Sequence, residues 1–161
     1  MPPSVNITGN MEVGVSMEYK TEACLVSDLC SRVSDLWGAE ATSQTEVRCH
    51  DQARMDILVR TPATLIGIEV KLSHWNRLLA QAYLHRYCVD LVFVALPAKS
   101  VTEERRFEAA RFDIGVIAID NGSTHIVQEA GPAQPSKHLR QRLSELQMGE
   151  LSLLNNGRME R

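Results

Sequence analysis

Between residues 54 and 73 the chain reads RMDILVRTPATLIGIEVKLS, and this stretch limits the available folds more than any other. Two apolar runs, 54–60 and 65–73, flank a TPAT turn in which Pro62 blocks helix formation. Runs of this length, rich in Ile, Leu and Val, are predicted to be strands joined by a tight link. Each carries charge where a strand is normally apolar. Asp56 opens the first, Glu69 sits between Ile68 and Val70 in the second, and Lys71 follows. Side chains alternate along a strand, so Ile66, Ile68 and Val70 share one face. Leu65, Gly67, Glu69 and Lys71 share the other. Adjacent strands bring Asp56 and Glu69 within a few ångströms. Two close carboxylates resist ionisation unless a cation joins them.

The flanking pattern completes an α/β order. Residues 1–16 lack a period and read as a flexible N-terminal arm. Met17, Cys24, Leu25, Leu29, Val33 and Leu36 recur at three- and four-residue steps, which predicts one amphipathic helix over 17–36, stopped by Gly38. TEVRCH (45–50) alternates as a strand and makes a meander with the next two. A helical stripe of Trp75, Leu78, Leu79, Ala82 and Tyr83 follows, broadened by Leu84 and Tyr87. LVFVALP (91–97) and GVIAID (115–120) are continuous apolar runs, as in strands buried on both faces. Between them Thr102 precedes acidic residues and predicts an N-capped helix over 102–112. THIVQEA (124–130) returns as a hairpin strand after an NGS turn, and a last helix starts near Ser136. The order α-β-β-β-α-β-α-β-β-α predicts a mixed sheet flanked by helices, in one domain over 17–150 with a tail at 151–161.

Paired carboxylates suit a hard divalent cation. Mg²⁺ takes oxygen ligands, often one or two carboxylates, and fills its shell with water and substrate phosphate. Asp56 and Glu69 are the expected ligands, the Val70 carbonyl can add a third, and Lys71 can serve the attacking water and the phosphate. Arg54, His74 and Arg77 are expected phosphate contacts, with Ser73 or His74 also placed to cap the following helix. Glu46 and Asp51 are lesser ligand candidates. The bland alternative is a Glu69–Lys71 pair on the solvent face of an edge strand.

The constellation resembles the PD-(D/E)XK nuclease superfamily, which includes restriction endonucleases, Holliday-junction resolvases and RecB-like exonuclease domains. The resemblance rests on MD at 55–56, EVK at 69–71 and the αβββαβ order, and covers roughly residues 17–97. Met55 stands where the family often has proline. The resemblance implies a restriction-endonuclease-like core and Mg²⁺-dependent hydrolysis of DNA, with Mn²⁺ able to substitute. Asp56, Glu69 and Lys71 are then catalytic, and a first-helix glutamate reaches the metal: Glu22, or Glu18 one turn earlier. RecB-like members carry Q-x-x-x-Y on the next helix. Gln81 matches its first position and is expected to contact substrate, while His85 stands in place of the tyrosine. The resolvase-like and RecB-like subgroups are not separated by these residues. A small nuclease of this kind is expected to work as a homodimer or in a larger nucleic-acid-processing complex. The alternative is a non-catalytic nucleic-acid-binding or accessory module on the same fold.

Composition excludes several classes. With 44% hydrophobic and 23% charged residues in 161, the chain is of globular type. Net charge is −3, yet residues 54–112 hold 9 Lys/Arg against 6 Asp/Glu, so basic surface is expected around the acidic motif. No apolar run approaches a membrane span and no signal peptide is evident, which points to the cytoplasm. Cys24, Cys30, Cys49 and Cys88 form no CxxC pair and are expected to be buried or incidental thiols, without a disulfide framework.

Overall fold

A computed structural model describes residues 18–50 and 53–145, except the side chain of His50. The expected N-terminal arm and C-terminal tail, and Asp51, lie outside the described residues. The chain runs α1 (Glu22–Cys30), α2 (Val33–Trp37), β1 (Thr42–His50), β2 (Ala53–Arg60), β3 (Leu65–Val70), α3 (Trp75–His85) and β4 (Leu91–Pro97). A 3-10 turn (Ala98–Ser100), α4 (Glu103–Ala110), β5 (Gly115–Asp120) and β6 (Ser123–Gln128) follow, and residues 137–145 form α5.

The single helix expected over 17–36 is two. Its start moves to Glu22 because Thr21 is extended and its side chain caps the Cys24 N–H at 3.2 Å. It breaks after Cys30, where the Ser31 hydroxyl competes for the Asp28 carbonyl at 2.7 Å and Arg32 leaves helical geometry. β3 also ends at Val70, short of the expected Ser73. The next residues bend through His74, whose φ of 65° is left-handed, into α3. Neither Ser73 nor His74 gives α3 a side-chain cap: His74 is the N-cap residue and makes no such bond. Thr102 caps α4 as expected, accepting from the Arg105 N–H at 3.2 Å.

All six strands form one mixed sheet in chain order. The meander β1–β2–β3 is antiparallel, β3–β4–β5 is parallel through the α3 and α4 crossovers, and β6 returns antiparallel on β5. One face, with Ile57, Ile68, Val70 and Ile117, packs on Leu25 and Leu29 of α1 and Val33 of α2. The other, with Leu58, Val94 and Val116, packs on Trp75, Leu78 and Ala82 of α3, Ala109 of α4 and Leu143 of α5. The sheet is thus an inner layer between helices. β3 lies well inside it, with every residue buried, so the solvent-facing Glu69–Lys71 edge does not exist.

Two cysteines depart from expectation. Cys49 at the end of β1 and Cys88 just past α3 are joined as a disulfide, with Cα atoms 6.1 Å apart across 39 residues. Nothing in the spacing shows it, because the pairing depends on α3 folding back over the meander. Among the described residues no helix is long and apolar enough to cross a membrane.

Candidate active site

The site begins with strand register. β2 and β3 pair through Ile57 and Ile68, so one step further along the register sets Asp56 across from Glu69. There the backbone ladder gives way to a side chain: the Val70 N–H donates to Asp56 Oδ2 at 2.8 Å. The two carboxyls lie close enough for each to perturb the other's ionisation. This is the juxtaposition the sequence predicts.

Burial and the partner acid govern the ionisation of this pair. Asp56 is pushed up to about 7, first by burial and then by the Glu69 hydrogen bond and charge, against the Val70 N–H and Lys71. Glu69 is also raised, chiefly by burial, with Asp56 and Lys71 opposing and the Glu22 charge adding to the rise. The pair therefore retains a proton near neutrality when no cation is bound.

Behind Glu69 stands His85, the residue in place of the family's tyrosine. His85 is 1% exposed and its Nε2 lies 2.5 Å from Glu69 Oε1. Burial depresses its pKa to about 4, against the nearby Asp56 charge, so the ring is neutral near pH 7. Its Nδ1 is buried without a partner. A proton there would be an unsatisfied buried donor, which places the ring proton on Nε2, donating to Glu69. The missed signal was in the sequence: Trp75, Leu78, Ala82 and His85 follow three- and four-residue steps, and these are the buried positions of α3. Gly67 makes room beneath for Met55 and Val89. A Cβ there would lie 2.7 Å from Met55 Sδ, 3.2 Å from Val89 Cγ2 and 3.7 Å from His85 Cβ.

In front of the pair is a cleft of about 550 Å³, lined by Glu22, Ser27, Thr45, Glu46, Asp56 and Val70 among others. Glu22 enters it from the first turn of α1. Lys71 leaves β3 with its N–H on the Ala95 carbonyl at 3.2 Å, and its Nζ meets Glu22 Oε2 at 3.2 Å. Glu18 precedes α1 and pairs with Lys99, so of the two candidate glutamates it is Glu22 that the fold delivers. Glu46 has a left-handed φ of 54° between the paired Thr45–Ile57 and Val47–Met55 positions. Its carboxylate is 4.0 Å from exposed Arg54.

The remaining candidates divide. Gln81 is one turn before His85 on α3, and its Oε1 is buried without a partner. His74 and Arg77 do not line the carboxylate cleft. They line a separate groove with Lys99 and Arg105 at the start of α3 and beside α4, because the left-handed turn at His74 carries the chain away from Val70. Trp75 is a core residue there, donating to Glu108 at 2.6 Å beneath the Arg105 guanidinium.

Among the described residues, no group of three or more His, Cys, Asp or Glu side chains is arranged to hold a metal ion. The donor chemistry still suits one: two adjacent carboxylates that burial and mutual proximity keep partly protonated, with Val70 and Glu22 on the same cleft.

No family model matches the chain, and no curated protein matches it. Among solved structures it is similar to the SPO1766 protein of unknown function from Silicibacter pomeroyi, with a TM-score of 0.61 over 90% of this chain and 98% of that one at 15% identity. At that identity the likeness speaks for the fold alone.

Proposed function

We propose that the chain is a metal-dependent nuclease that hydrolyses DNA phosphodiester bonds, of the PD-(D/E)XK kind, on a restriction-endonuclease-like core. The observation that carries this is the register that sets Asp56 across from Glu69 on adjacent strands, beside a cleft at whose edge Lys71 meets Glu22. An antiparallel meander followed by the parallel strand β4 gives further support. Asp56, Glu69, Glu22 and the Val70 carbonyl are the groups to hold Mg²⁺ or Mn²⁺. When bound, the ion supplies Lewis-acid polarisation of phosphate and a more acidic water.

The chain's own groups do the rest. With an ion held there, Asp56 would be ionised, its proton passing to solvent through the open cleft, and the mutual repulsion of the two acids would be offset. Lys71 exchanges Glu22 for the substrate phosphate and stabilises the charge that develops on it. Arg54, at the rim, contacts the DNA backbone, and Gln81, half-buried on α3, positions substrate. His74 and Arg77 serve DNA that extends into the neighbouring groove. A homodimer or a larger DNA-processing complex, in the cytoplasm, completes the proposal; the Cys49–Cys88 bond is the feature that pulls against a reducing compartment.

One observation favours a second reading, a non-catalytic nucleic-acid-binding or accessory module. His85 and Asp56 partner Glu69, and Glu22 partners Lys71, within the chain itself. An activity panel decides between them: linear, nicked, branched and single-stranded DNA, each with Mg²⁺, Mn²⁺ or EDTA. Cation-dependent cleavage by wild type, lost in Asp56→Asn/Glu69→Gln, supports the nuclease. DNA binding without cleavage of any substrate supports the module.

A further inference from the structure

The one buried imidazole in contact with the acid pair has no place in the chemistry above. At 1% exposure, His85 cannot touch substrate or solvent. Its position is nonetheless heavily determined. It lies on the buried stripe of α3, in contact with Gly67 of β3, three residues before the disulfide-bonded Cys88. Among the described residues its one polar contact is Glu69 Oε1 at 2.5 Å, and Nδ1 has no partner. Satisfying one carboxylate oxygen at the expense of a bare ring nitrogen is a costly arrangement for mere packing.

We infer that His85 is a positioning residue that fixes Glu69 as a one-oxygen ligand, so that the cleft favours a small octahedral divalent cation over a large one. This rests on the reading of Asp56 and Glu69 as a cation site. A carboxylate with one oxygen held by a buried donor cannot rotate to present both. Ca²⁺ takes six to eight oxygens in flexible geometry and gains from two-oxygen carboxylates, whereas Mg²⁺ and Mn²⁺ need a few well-placed single oxygens and keep their waters. Partners behind a ligand set its orientation and are worth about 10–100-fold in metal affinity. His85 acts on selectivity through Glu69 and never meets the ion.

The test has two arms on the full chain. Long-range ¹⁵N–¹H correlation of the cation-free protein reads the imidazole directly. Nε2 protonated and Nδ1 bare is the expected result, and the reverse tautomer overturns the inference whatever the metal does. Calorimetric titration with Mn²⁺ and with Ca²⁺ then compares wild type, His85→Gln and His85→Leu. The Gln amide can still donate to Glu69; Leu cannot. Wild type should prefer Mn²⁺, with His85→Gln within about threefold of its preference and His85→Leu losing roughly tenfold or more, chiefly by gaining Ca²⁺. If His85→Leu misfolds, His85→Phe, a ring of similar size that cannot donate to Glu69, takes its place in the comparison. Equal preference in the two folded variants overturns the inference. Absence of any cation response in wild type overturns the selectivity and the metal-dependent reading together. The tautomer then shows whether His85 still orients Glu69.

Discussion

Replacing Asp56 by Asn should stabilise the cation-free protein at alkaline pH and leave it nearly unchanged in mild acid. The amide oxygen keeps the Val70 N–H bond seen at 2.8 Å, and the amide NH₂ replaces the shared proton toward Glu69. What disappears is the ionised form. The folded carboxyl titrates at about 7 against an ordinary 3.8. A group whose folded pKa is raised contributes stability that is complete below the unfolded pKa and lost as pH rises through the folded one. The window is therefore pH 3.8 to about 7. The whole shift has a ceiling of about 4 kcal/mol, of which roughly 3 falls above pH 5. Asp56 is only part-buried at the cleft, so solvent screening cuts the pH 5 to pH 8 change to about 1 kcal/mol.

His85 titrates in both proteins and largely cancels in the difference. Urea unfolding in EDTA at pH 5 and pH 8 measures it. Asp56→Asn should match wild type at pH 5 and exceed it by about 1 kcal/mol at pH 8. A constant difference at both pH values, or a loss at pH 8, would refute the shared-proton account of the pair.

Lys71→Ala should leave Mn²⁺ binding intact by calorimetry while DNA cleavage falls by roughly two to four orders of magnitude; undiminished cleavage removes Lys71 from the chemistry. Gly67→Ala should cost about 1–3 kcal/mol in urea melts, since its Cβ would sit 2.7 Å from Met55 Sδ and 3.2 Å from Val89 Cγ2. Reduction of Cys49–Cys88, which closes 39 residues, should cost up to about 4 kcal/mol, and identical melts with and without reductant would show that the bond does not form in solution.

The strands were legible where local chemistry dominates. Residues 91–97 and 115–120 are continuous apolar runs in sequence and the buried parallel strands β4 and β5 in the fold. Asp56 and Glu69 were legible together because strand register is set by alternation and a short turn. Helix-borne residues were harder, since their role depends on which face packs inward. The broad stripe through Tyr83, Leu84 and Tyr87 looked apolar, yet all three are at least 38% exposed, and the buried line runs through Ala82 to His85. A histidine on that line reads as surface until α3 is docked. The break after Cys30 was hidden because Leu29, Val33 and Leu36 keep a helical period across it. The disulfide and the separate groove holding His74 and Arg77 arise from tertiary placement alone.

The charges around the cleft separate a nuclease from a passive binder by sign as well as by rate. Glu22, Glu46 and Asp56 line it, and Glu69 lies close to Asp56. Against them stand Lys71, 3.2 Å from Glu22, and Arg54, 4.0 Å from Glu46. A phosphate approaching this cleft without a cation meets excess negative charge at short range, where screening is weak. A passive module binds DNA through Lys and Arg contacts that release counterions, so added Mg²⁺ competes and weakens it. A cation-dependent site does the opposite, because the ion converts a repulsive cleft into one that accepts phosphate. DNA affinity measured at constant ionic strength, with Mg²⁺ raised from zero in EDTA to millimolar, should therefore increase for wild type. It should fall for Asp56→Asn/Glu69→Gln, whose cleft no longer holds the ion. A monotonic decrease in wild type would put DNA on another face of the molecule and remove the acid pair from its recognition.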